Sequence, residues 1–244
     1  MKKNRFIKLA SGLLVLCLMT TCVIGATLAK YTTAKDTQDS ARVAKWGVTI
    51  TAVSNSAFKT EYDKDDSTYS GTGTVTVKSS SSDEKVVAPG TSGNATQISI
   101  SGTPEVAVRL SFNLTVVNEV KLAAGTYTNT DGATVTLNDE YTPVVFTLSN
   151  GSESPLATGT LEQIANYLSR YTVDYAPGTD LSTTPTYTLS WKWNFDGNDV
   201  ADTILGDLAA GVSGIKKGES PIKQVDDYST EVSYKLTITA TQID

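Results

Sequence analysis

The amino-acid sequence predicts an all-β fold, an antiparallel, jelly-roll-like β-sandwich with one or two short helices. The first observation is a two-residue period, clearest in residues 105–118, "EVAVRLSFNLTVVN", where Val, Leu and Phe alternate with Ala, Arg, Ser, Asn and Thr. Such alternation is typical of a strand with one buried face. The second observation is the frequency of Gly, Pro, Asn, Asp and Ser clusters between alternating segments. Many strands separated by turn residues indicate a sandwich or jelly roll.

The chain begins with a predicted signal peptide, residues 1–29. A basic start is followed by a long uncharged apolar run that ends in small side chains, which is typical of a secretory signal. Thr27 and Ala29 have the spacing that a signal peptidase pocket accepts. The sequence therefore predicts cleavage between Ala29 and Lys30, and secretion of the rest of the chain.

Two alternatives remain open for the apolar run. Because about 20 apolar residues can span a bilayer, the segment could stay in the membrane as an anchor. Cys22 could also carry a lipid, as in a lipoprotein. The chain's two cysteines, Cys17 and Cys22, both lie in this run. A cleaved chain would therefore contain no disulfide, and it would contact the membrane only before cleavage.

Residues 30–44, "KYTTAKDTQDSARVA", form a polar arm between the signal peptide and the first strand. Tyr31, Ala34, Ala41 and Val43 are its assembly candidates, because such side chains can occupy shallow pockets along the open edge of a neighbouring sheet. Strand addition of this kind takes affinity from backbone hydrogen bonds and register from alternate side chains. The alternative is a disordered spacer after the cleavage site.

Residues 45–244 are predicted to form a single β-sandwich domain. Two polar stretches, residues 54–72 and 79–94, are expected to be exposed loops because they are rich in Ser, Thr, Asp and Gly. The alternating segments predict strands at residues 46–53, 73–78, 95–101, 105–118, 133–137, 143–149, 186–195 and 231–241.

Two short helices are predicted to interrupt the strand pattern. The sequence TLEQ at residues 160–163 has the form of a capping box, and apolar residues then recur with helical spacing. A second helix is predicted over residues 199–211, with Asp199 capping its start and Gly211 ending it. Neither helix is long enough to form a separate helical domain.

Composition excludes several classes of function. Four of the 20 basic residues precede Lys30, so the exported chain has 16 basic against 26 acidic residues and a formal charge of −10. This charge disfavours nucleic acid and anionic membranes as partners. The chain has no histidine, which excludes a Ser-His-Asp triad and His-ligated metals, and the exported part has no cysteine for thiolate chemistry. We therefore expect no cofactor, no resident metal and no enzymatic activity.

A weak calcium signal lies in residues 196–202, "DGNDVAD". Asp196, Asn198, Asp199 and Asp202 offer hard oxygen ligands at close spacing. The segment lacks the full twelve-residue calcium loop and its terminal glutamate. The favoured interpretation is therefore a turn followed by a helix cap.

Aromatic residues recur in residues 186–195, "TYTLSWKWNF". Tyr187, Trp191, Trp193 and Phe195 could form a platform on which sugars stack, but their alternation with polar residues in mid-strand favours a place in the core. Paired carboxylates for sugar hydrolysis also remain open, because the distances between acidic residues cannot be read from the sequence.

Three stretches resemble the TasA/camelysin family of exported bacterial proteins. As in that family, a small-residue cleavage site is followed by an aromatic residue, a polar arm and the first strand. The stretches are residues 25–50, "GATLAKYTTAKDTQDSARVAKWGVTI", residues 88–90, "APG", leading into the predicted strands at 95–101 and 105–118, and residues 234–242, "YKLTITATQ". The chain departs from the family at Thr33, where the family often has an acidic residue, and in its first strand, "KWGVT" at residues 45–49.

The resemblance implies a jelly-roll fold, Sec export, cleavage by a SipW-type signal peptidase and a place in the extracellular matrix. Some family members are classed as metallopeptidases, an activity not expected here because the chain lacks histidine. The predicted function is an exported bacterial cell-surface or biofilm-matrix structural protein, whose partner is a second copy of itself in an oligomer or fibre joined by the arm. A polysaccharide-binding module and a carboxylate-based hydrolase are the alternatives.

Overall fold

The computed structural model describes residues 42–53, 57–63, 77–151, 154–224 and 226–243. The predicted signal peptide and residues 30–41 of the predicted arm lie outside these ranges. The chain divides into two units, Met1–Ala44 and Lys45–Asp244. In the first unit only residues 42–44 are described, and they are exposed and without regular structure.

The second unit consists mainly of antiparallel strands. Those in the described residues are β1 (Thr49–Val53), β2 (Glu61–Tyr62), β3 (Val77–Lys78), β4 (Ser92–Ser101), β5 (Ala107–Asn118), β6 (Lys121–Leu122), β7 (Gly125–Thr128), β8 (Thr134–Leu137), β9 (Val144–Ser149), β10 (Ala157–Gly159), β11 (Thr172–Tyr175), β12 (Tyr187–Trp193), β13 (Lys216–Lys217), β14 (Ser220–Pro221), β15 (Tyr228–Ser229) and β16 (Ser233–Ile243). The helices are α1 (Leu161–Leu168), α2 (Asp199–Ala209) and a short 3-10 helix, Leu181–Thr183.

Two sheets face one another and enclose the core. Among the described residues, the larger sheet has the strand order β1-β4-β12-β9-β10 and the smaller has the order β11-β5-β16. Phe112 of β5 lies against Tyr187 of β12 with ring centroids 5.0 Å apart, and Tyr234 of β16 lies 6.3 Å from Phe146 of β9. The chain passes from β4 to β5, β9, β11, β12 and β16, and so changes sheet at most steps. The predicted antiparallel sandwich is confirmed.

The alternation in the sequence decides which side chains of β5 enter the core. Val108, Leu110, Phe112 and Leu114 are buried, and the residues between them point to the opposite face. A shift of one residue in the pairing of β5 would turn all of these apolar side chains to solvent. Because each buried side chain of this size contributes about 1.5–3 kcal/mol, the pattern fixes the register.

The expectation for the two polar stretches is wrong in part. Residues 79–94 include the start of β4, and residues 54–72 include β2 and the fully buried Tyr62. The Tyr62 hydroxyl donates to the carbonyl of Val86 (3.0 Å), and its ring meets Trp191 edge-on. The aromatic residues of this stretch, Phe58, Tyr62 and Tyr69, are not part of an alternating apolar pattern, so the sequence gave no sign of this anchor.

The first strand also begins later than expected. Residues 46–53 were predicted as a strand, but β1 starts at Thr49. Gly47 has a φ of 51°, which interrupts the extended backbone before β1. The predicted strand at 73–78 is described only from residue 77, where it forms β3.

Helix α1 confirms the predicted capping box and covers one side of the sandwich. The Thr160 Oγ1 accepts the N–H of Gln163 (3.2 Å), and the Gln163 Oε1 accepts the N–H of Thr160 (3.0 Å). Leu161, Ile164 and Leu168 are buried, and the helix packs against β5, β9 and β10. It therefore bridges the two sheets on the side of β9 and β10.

Helix α2 is present, but its cap differs from the prediction. The N-cap is Asn198, whose side chain accepts the N–H of Ala201 (3.3 Å), and Asp199 is the first helical residue. Asp199 still favours the helix, because a negative charge in the first turn complements the helix dipole. Gly211 ends the helix as expected, with a φ of 73° that a residue with a side chain rarely adopts.

Candidate functional site

The structure describes only one of the residues predicted to mark the cleavage site and the assembly arm. Ala29, Lys30, Tyr31, Ala34 and Ala41 lie outside the described residues. Val43 is described, and 91% of its surface is exposed. A valine this exposed contributes almost no apolar burial in the single chain. Covering it on assembly would therefore be favourable, by about 1–2 kcal/mol.

The aromatic row of β12 belongs to the core. Trp191 is 2% exposed and Trp193 is 5% exposed, and the Trp191 indole N–H donates to the carbonyl of Ala57 (2.7 Å). Phe195 is exposed, but it follows the end of β12, so the predicted strand at 186–195 is shorter than expected. The core interpretation is therefore confirmed for Tyr187, Trp191 and Trp193 and is wrong for Phe195, and the three buried rings offer no platform for stacking sugars.

The acidic segment at residues 196–202 forms a turn and the start of α2. Asn198 caps the helix, and the Asp202 Oδ1 accepts the hydroxyl of Tyr141 (2.7 Å). In the described part of the chain, no three acidic residues are grouped closely enough to hold a metal ion. The turn and the cap are both present, with the cap one residue earlier than expected.

Asp202 and Trp193 form a polar contact at the edge of the core. Burial raises the pKa of the Asp202 carboxyl, although the Tyr141 hydroxyl and the nearby Trp193 indole act in the opposite direction. The Trp193 N–H lies near this carboxylate, yet it forms no hydrogen bond of normal geometry within the described residues. A desolvated carboxylate and an unsatisfied donor both lower the stability of the fold.

A groove with both apolar and polar lining lies where β1 and β16 form the edges of the two sheets. It consists of two adjoining cavities of about 490 and 410 Å³, which share Phe58, Lys85, Val232 and Ser233. The larger cavity is lined chiefly by Ala52, Ala57, Phe58, Ala95, Tyr234 and Leu236. We call the two cavities together the edge groove.

The floor of the edge groove is part of the inner face of the larger sheet. Ala52 of β1 pairs with Ile98 of β4, so both side chains point to the same side of the sheet. Ile98 is buried, whereas Ala52 is exposed. Ile50, two residues earlier on the same face of β1, is half-buried and packs against the core. The inner face of β1 is therefore open only at its Ala52 end.

The wall of the edge groove is the outer edge of β16. This strand pairs with β5 on one side along its whole length, and no other described strand pairs with its second side. Phe112 of β5 is buried, whereas its partner Ile238 on β16 is only half-buried. Leu114 of β5 is likewise buried, and its partner Leu236 on β16 is half-buried. An open strand edge with a half-buried apolar row is a template for a further strand.

A third cavity, of about 260 Å³, lies beside the start of α1. Glu119, Glu162, Glu231 and Lys121 contribute to its lining. Glu119 is buried, which raises the pKa of its carboxyl, and its Oε1 accepts the N–H of Leu161 (2.6 Å). The hydrolase alternative requires two acids within catalytic reach in one pocket, and these three acids line the same cavity. Glu119, however, is already engaged in satisfying an otherwise unpaired N–H at the start of the helix.

Within the described residues, no helix has the length and apolar content needed to cross a membrane. Comparison of the chain with protein-family models, with curated proteins and with solved structures finds no match.

Proposed function

We propose that this protein is an exported bacterial cell-surface or biofilm-matrix structural protein, and that the polar arm of one copy adds as a strand to the edge groove of the next. The observation that carries the proposal is the exposure of Ala52 on the inner face of the larger sheet, beside the open edge of β16. A strand placed there would bond to β16, extend the smaller sheet and cover Ala52.

The lengths of the arm and of the edge are compatible. The eleven residues of β16 span about 36 Å. Residues 30–44 of the sequence can extend over about 50 Å. An arm strand could therefore pair with most of β16 and still leave residues to connect it to its own domain.

Backbone pairing alone would not hold the arm in place. Each added hydrogen bond contributes about 1 kcal/mol net, while ordering each arm residue costs about 1–2 kcal/mol. The surplus has to come from apolar side chains that enter the groove and from covering half-buried residues such as Leu236 and Ile238. The arm offers few such side chains, which makes each one important.

The charges of the arm and of the domain have opposite signs. Residues 30–44 carry three basic and two acidic residues, a formal charge of +1, whereas residues 45–244 carry 13 basic and 24 acidic residues, a formal charge of −11. Opposite net charges favour the encounter of an arm with the domain of a second copy. The −11 of each domain also makes two copies repel one another at long range, with or without the arm, so the charge of the arm acts only once the copies are close.

Export rests on the sequence of the first 29 residues and on the resemblance to the TasA/camelysin family. Under this proposal a SipW-type signal peptidase cuts between Ala29 and Lys30 and so frees the arm. N-terminal sequencing of the secreted protein would test this, with a chain that begins at Lys30 as the expected result. A secreted or membrane-bound product that still carries residues 9–29 would contradict it.

We propose a structural role without catalysis. The absence of histidine from the whole sequence and of cysteine from the exported part supports this view. In the part of the chain that the structure describes, the third cavity, lined by Glu119, Glu162 and Glu231, is the feature that favours a hydrolase. The Glu119→Gln variant tests it. Any glycosidase activity of the purified protein that Glu119→Gln abolishes would contradict the structural role.

The assembly proposal is tested by removing the arm. The protein that begins at Lys30 is compared with a protein that begins at Lys45, by light scattering, electron microscopy and circular dichroism at matched concentrations. We expect oligomers or fibres only from the longer protein and equal β-structure in both. Equal assembly by the two proteins would overturn the proposal.

A matched control separates strand addition from a spacer role. In it, residues 30–44 are replaced by a Gly/Ser sequence of the same length, which keeps the reach of the arm but removes its side chains. We expect this variant to stay monomeric. Assembly equal to that of the natural arm would show that the arm acts only as a spacer.

A further inference from the structure

We infer that the larger cavity of the edge groove is an acceptor pocket for one aromatic ring, and that its occupant is Tyr31 from the arm of a second copy. This inference rests on the proposed function, because it requires the arm to enter the groove. It adds the residue that anchors the arm and the pocket that receives it.

The cavity owes its size to small residues on its floor. Ala52, Ala57 and Ala95 come from three separate segments of the larger sheet and its margin, and none of them fills the space above it. The resulting cavity of about 490 Å³ is open to solvent through the exposed side of Ala52. A concave space with apolar side chains and a few polar groups in its lining is suited to a single large side chain that has both an apolar body and a polar tip.

The walls of the cavity are aromatic on both sides. Phe58 lies against Trp191 with ring centroids 5.1 Å apart and is only half-buried, so part of its ring is open to the groove. Tyr234 stands on the other side, fixed by its contact with Phe146 and by a hydrogen bond with the hydroxyl of Thr96 (3.1 Å). Aromatic side chains pack favourably against one another in edge-on or offset geometry. An aromatic occupant is therefore preferred over an aliphatic one of similar size.

Lys85 adds a charged group at the margin of the cavity. It contributes to the lining of both cavities of the edge groove, and its side chain is long enough to lie over a ring held there. A lysine ammonium over an aromatic face is attractive. The margin thus favours an electron-rich ring such as that of tyrosine.

Tyr31 is the occupant because the arm has no other aromatic residue. The remaining apolar side chains of residues 30–44 are three alanines and one valine. Tyr31 also lies near the predicted new N-terminus, so a ring seated in the cavity would fix where along β16 the arm begins to pair. One anchored ring then sets the register of the whole strand.

The arm side of the contact is tested in the protein that begins at Lys30. Tyr31→Ala removes the ring, Tyr31→Phe keeps it, and Thr32→Ala changes the neighbouring residue, which points to the opposite face of a strand. We expect Tyr31→Ala to raise the concentration needed for assembly by about tenfold or more. Tyr31→Phe and Thr32→Ala should stay within about twofold of the unmodified protein.

The pocket side is tested by filling the cavity from within. Ala52→Phe places a ring in the cavity, and Thr51→Phe adds the same ring at the next residue of β1, on the opposite face of the sheet. Both positions are exposed, so both variants should fold, which circular dichroism and urea unfolding check. We expect Ala52→Phe to inhibit assembly as strongly as Tyr31→Ala, and Thr51→Phe to have no effect.

The possible results separate this inference from the function on which it rests. If removal of residues 30–44 leaves assembly unchanged, both the proposed function and this inference are wrong. If removal abolishes assembly but Tyr31→Ala assembles like the unmodified protein, strand addition stands and Tyr31 is not its anchor. If Ala52→Phe and Thr51→Phe assemble equally well, the acceptor pocket is wrong.

Discussion

Ala52 on β1 lies opposite Ile98 on β4 and faces the same side of the sheet, yet Ala52 is exposed and Ile98 is buried. In a closed sandwich the opposite sheet covers the inner face of an edge strand. Here the smaller sheet ends at β16 in the described residues, before it reaches β1. No described strand lies beside β16 on this side, and this is the observation on which the proposed assembly rests.

The first prediction compares two tryptophans on one strand. Trp191 and Trp193 are both buried, but only the Trp191 indole donates a hydrogen bond of normal geometry, to the carbonyl of Ala57. Replacement by Phe removes the same volume at each position. We expect Trp191→Phe to lower the free energy of unfolding by about 1–3 kcal/mol more than Trp193→Phe, because it also breaks this bond. Urea unfolding measures both, and equal losses would contradict the assignment.

The second prediction compares a glycine that has no space for a side chain, Gly93, with one that has space, Gly206. A Cβ on Gly93 would lie 2.5 Å from the Ala57 oxygen and 2.9 Å from the Trp191 Nε1, so Gly93→Ala should lower the free energy of unfolding by about 1–3 kcal/mol. A Cβ on Gly206, in α2, would meet nothing within 4 Å. Gly206→Ala should therefore stabilise the protein, by up to about 1 kcal/mol. Thermal unfolding tests the pair, and a tolerated Gly93→Ala would show that β4 can move away.

The third prediction is a pH dependence caused by Asp202. Burial raises its pKa in the folded state. A carboxyl whose pKa is raised by folding stabilises the fold while it is protonated, and this contribution is lost as the pH rises above the unfolded pKa of about 4. Asp202→Asn does not titrate. The stability of this variant relative to the unmodified protein should therefore increase from about pH 3 to about pH 7.

Asp174→Asn provides a control with the opposite trend. Two hydrogen bonds from the Arg109 guanidinium, of 2.7 and 2.6 Å, hold the pKa of Asp174 below its ordinary value. This contribution is present above the unfolded pKa and is lost as the pH falls. Asp174→Asn should thus cost more stability at about pH 7 than at about pH 3. Urea unfolding at each pH measures the stability of both variants. If their stabilities change with pH in the same direction, at least one of the two pKa shifts is wrong.

The sequence predicts those parts of the fold that depend on local rules. The alternation in residues 105–118 was enough to predict β5, and the TLEQ sequence at residues 160–163 was enough to predict where α1 begins. The buried or half-buried positions of Tyr62 and Phe58 could not be predicted, because both lie in a polar stretch without alternating apolar residues and are held by contacts far along the chain. The exact cap of α2 was missed because Asn198 and Asp199 are both good capping residues.

The edge groove could not be predicted from the sequence at all. Ala52 follows the alternating pattern of β1 and would be expected inside. Its exposure depends on how many strands the opposite sheet contains and where that sheet ends. Neither quantity is visible in any one segment, since both result from pairing between strands that are distant in sequence, such as β5 and β16.

The last prediction is that salt raises the rate at which the exported protein assembles. The exported chain carries a formal charge of −10, because the +1 of the arm only slightly offsets the −11 of residues 45–244. Two copies therefore repel one another at long range. At an ionic strength of about 0.1 M the screening length is about 10 Å, so the initial rate of assembly, followed by light scattering, should rise as NaCl is raised from low concentration to about this value. Replacing Lys35 and Arg42 together by Glu changes the arm charge to −3, and the rate should then be lower at low salt and should rise more steeply with salt. An equal salt dependence in both proteins would show that the charge of the arm does not guide assembly.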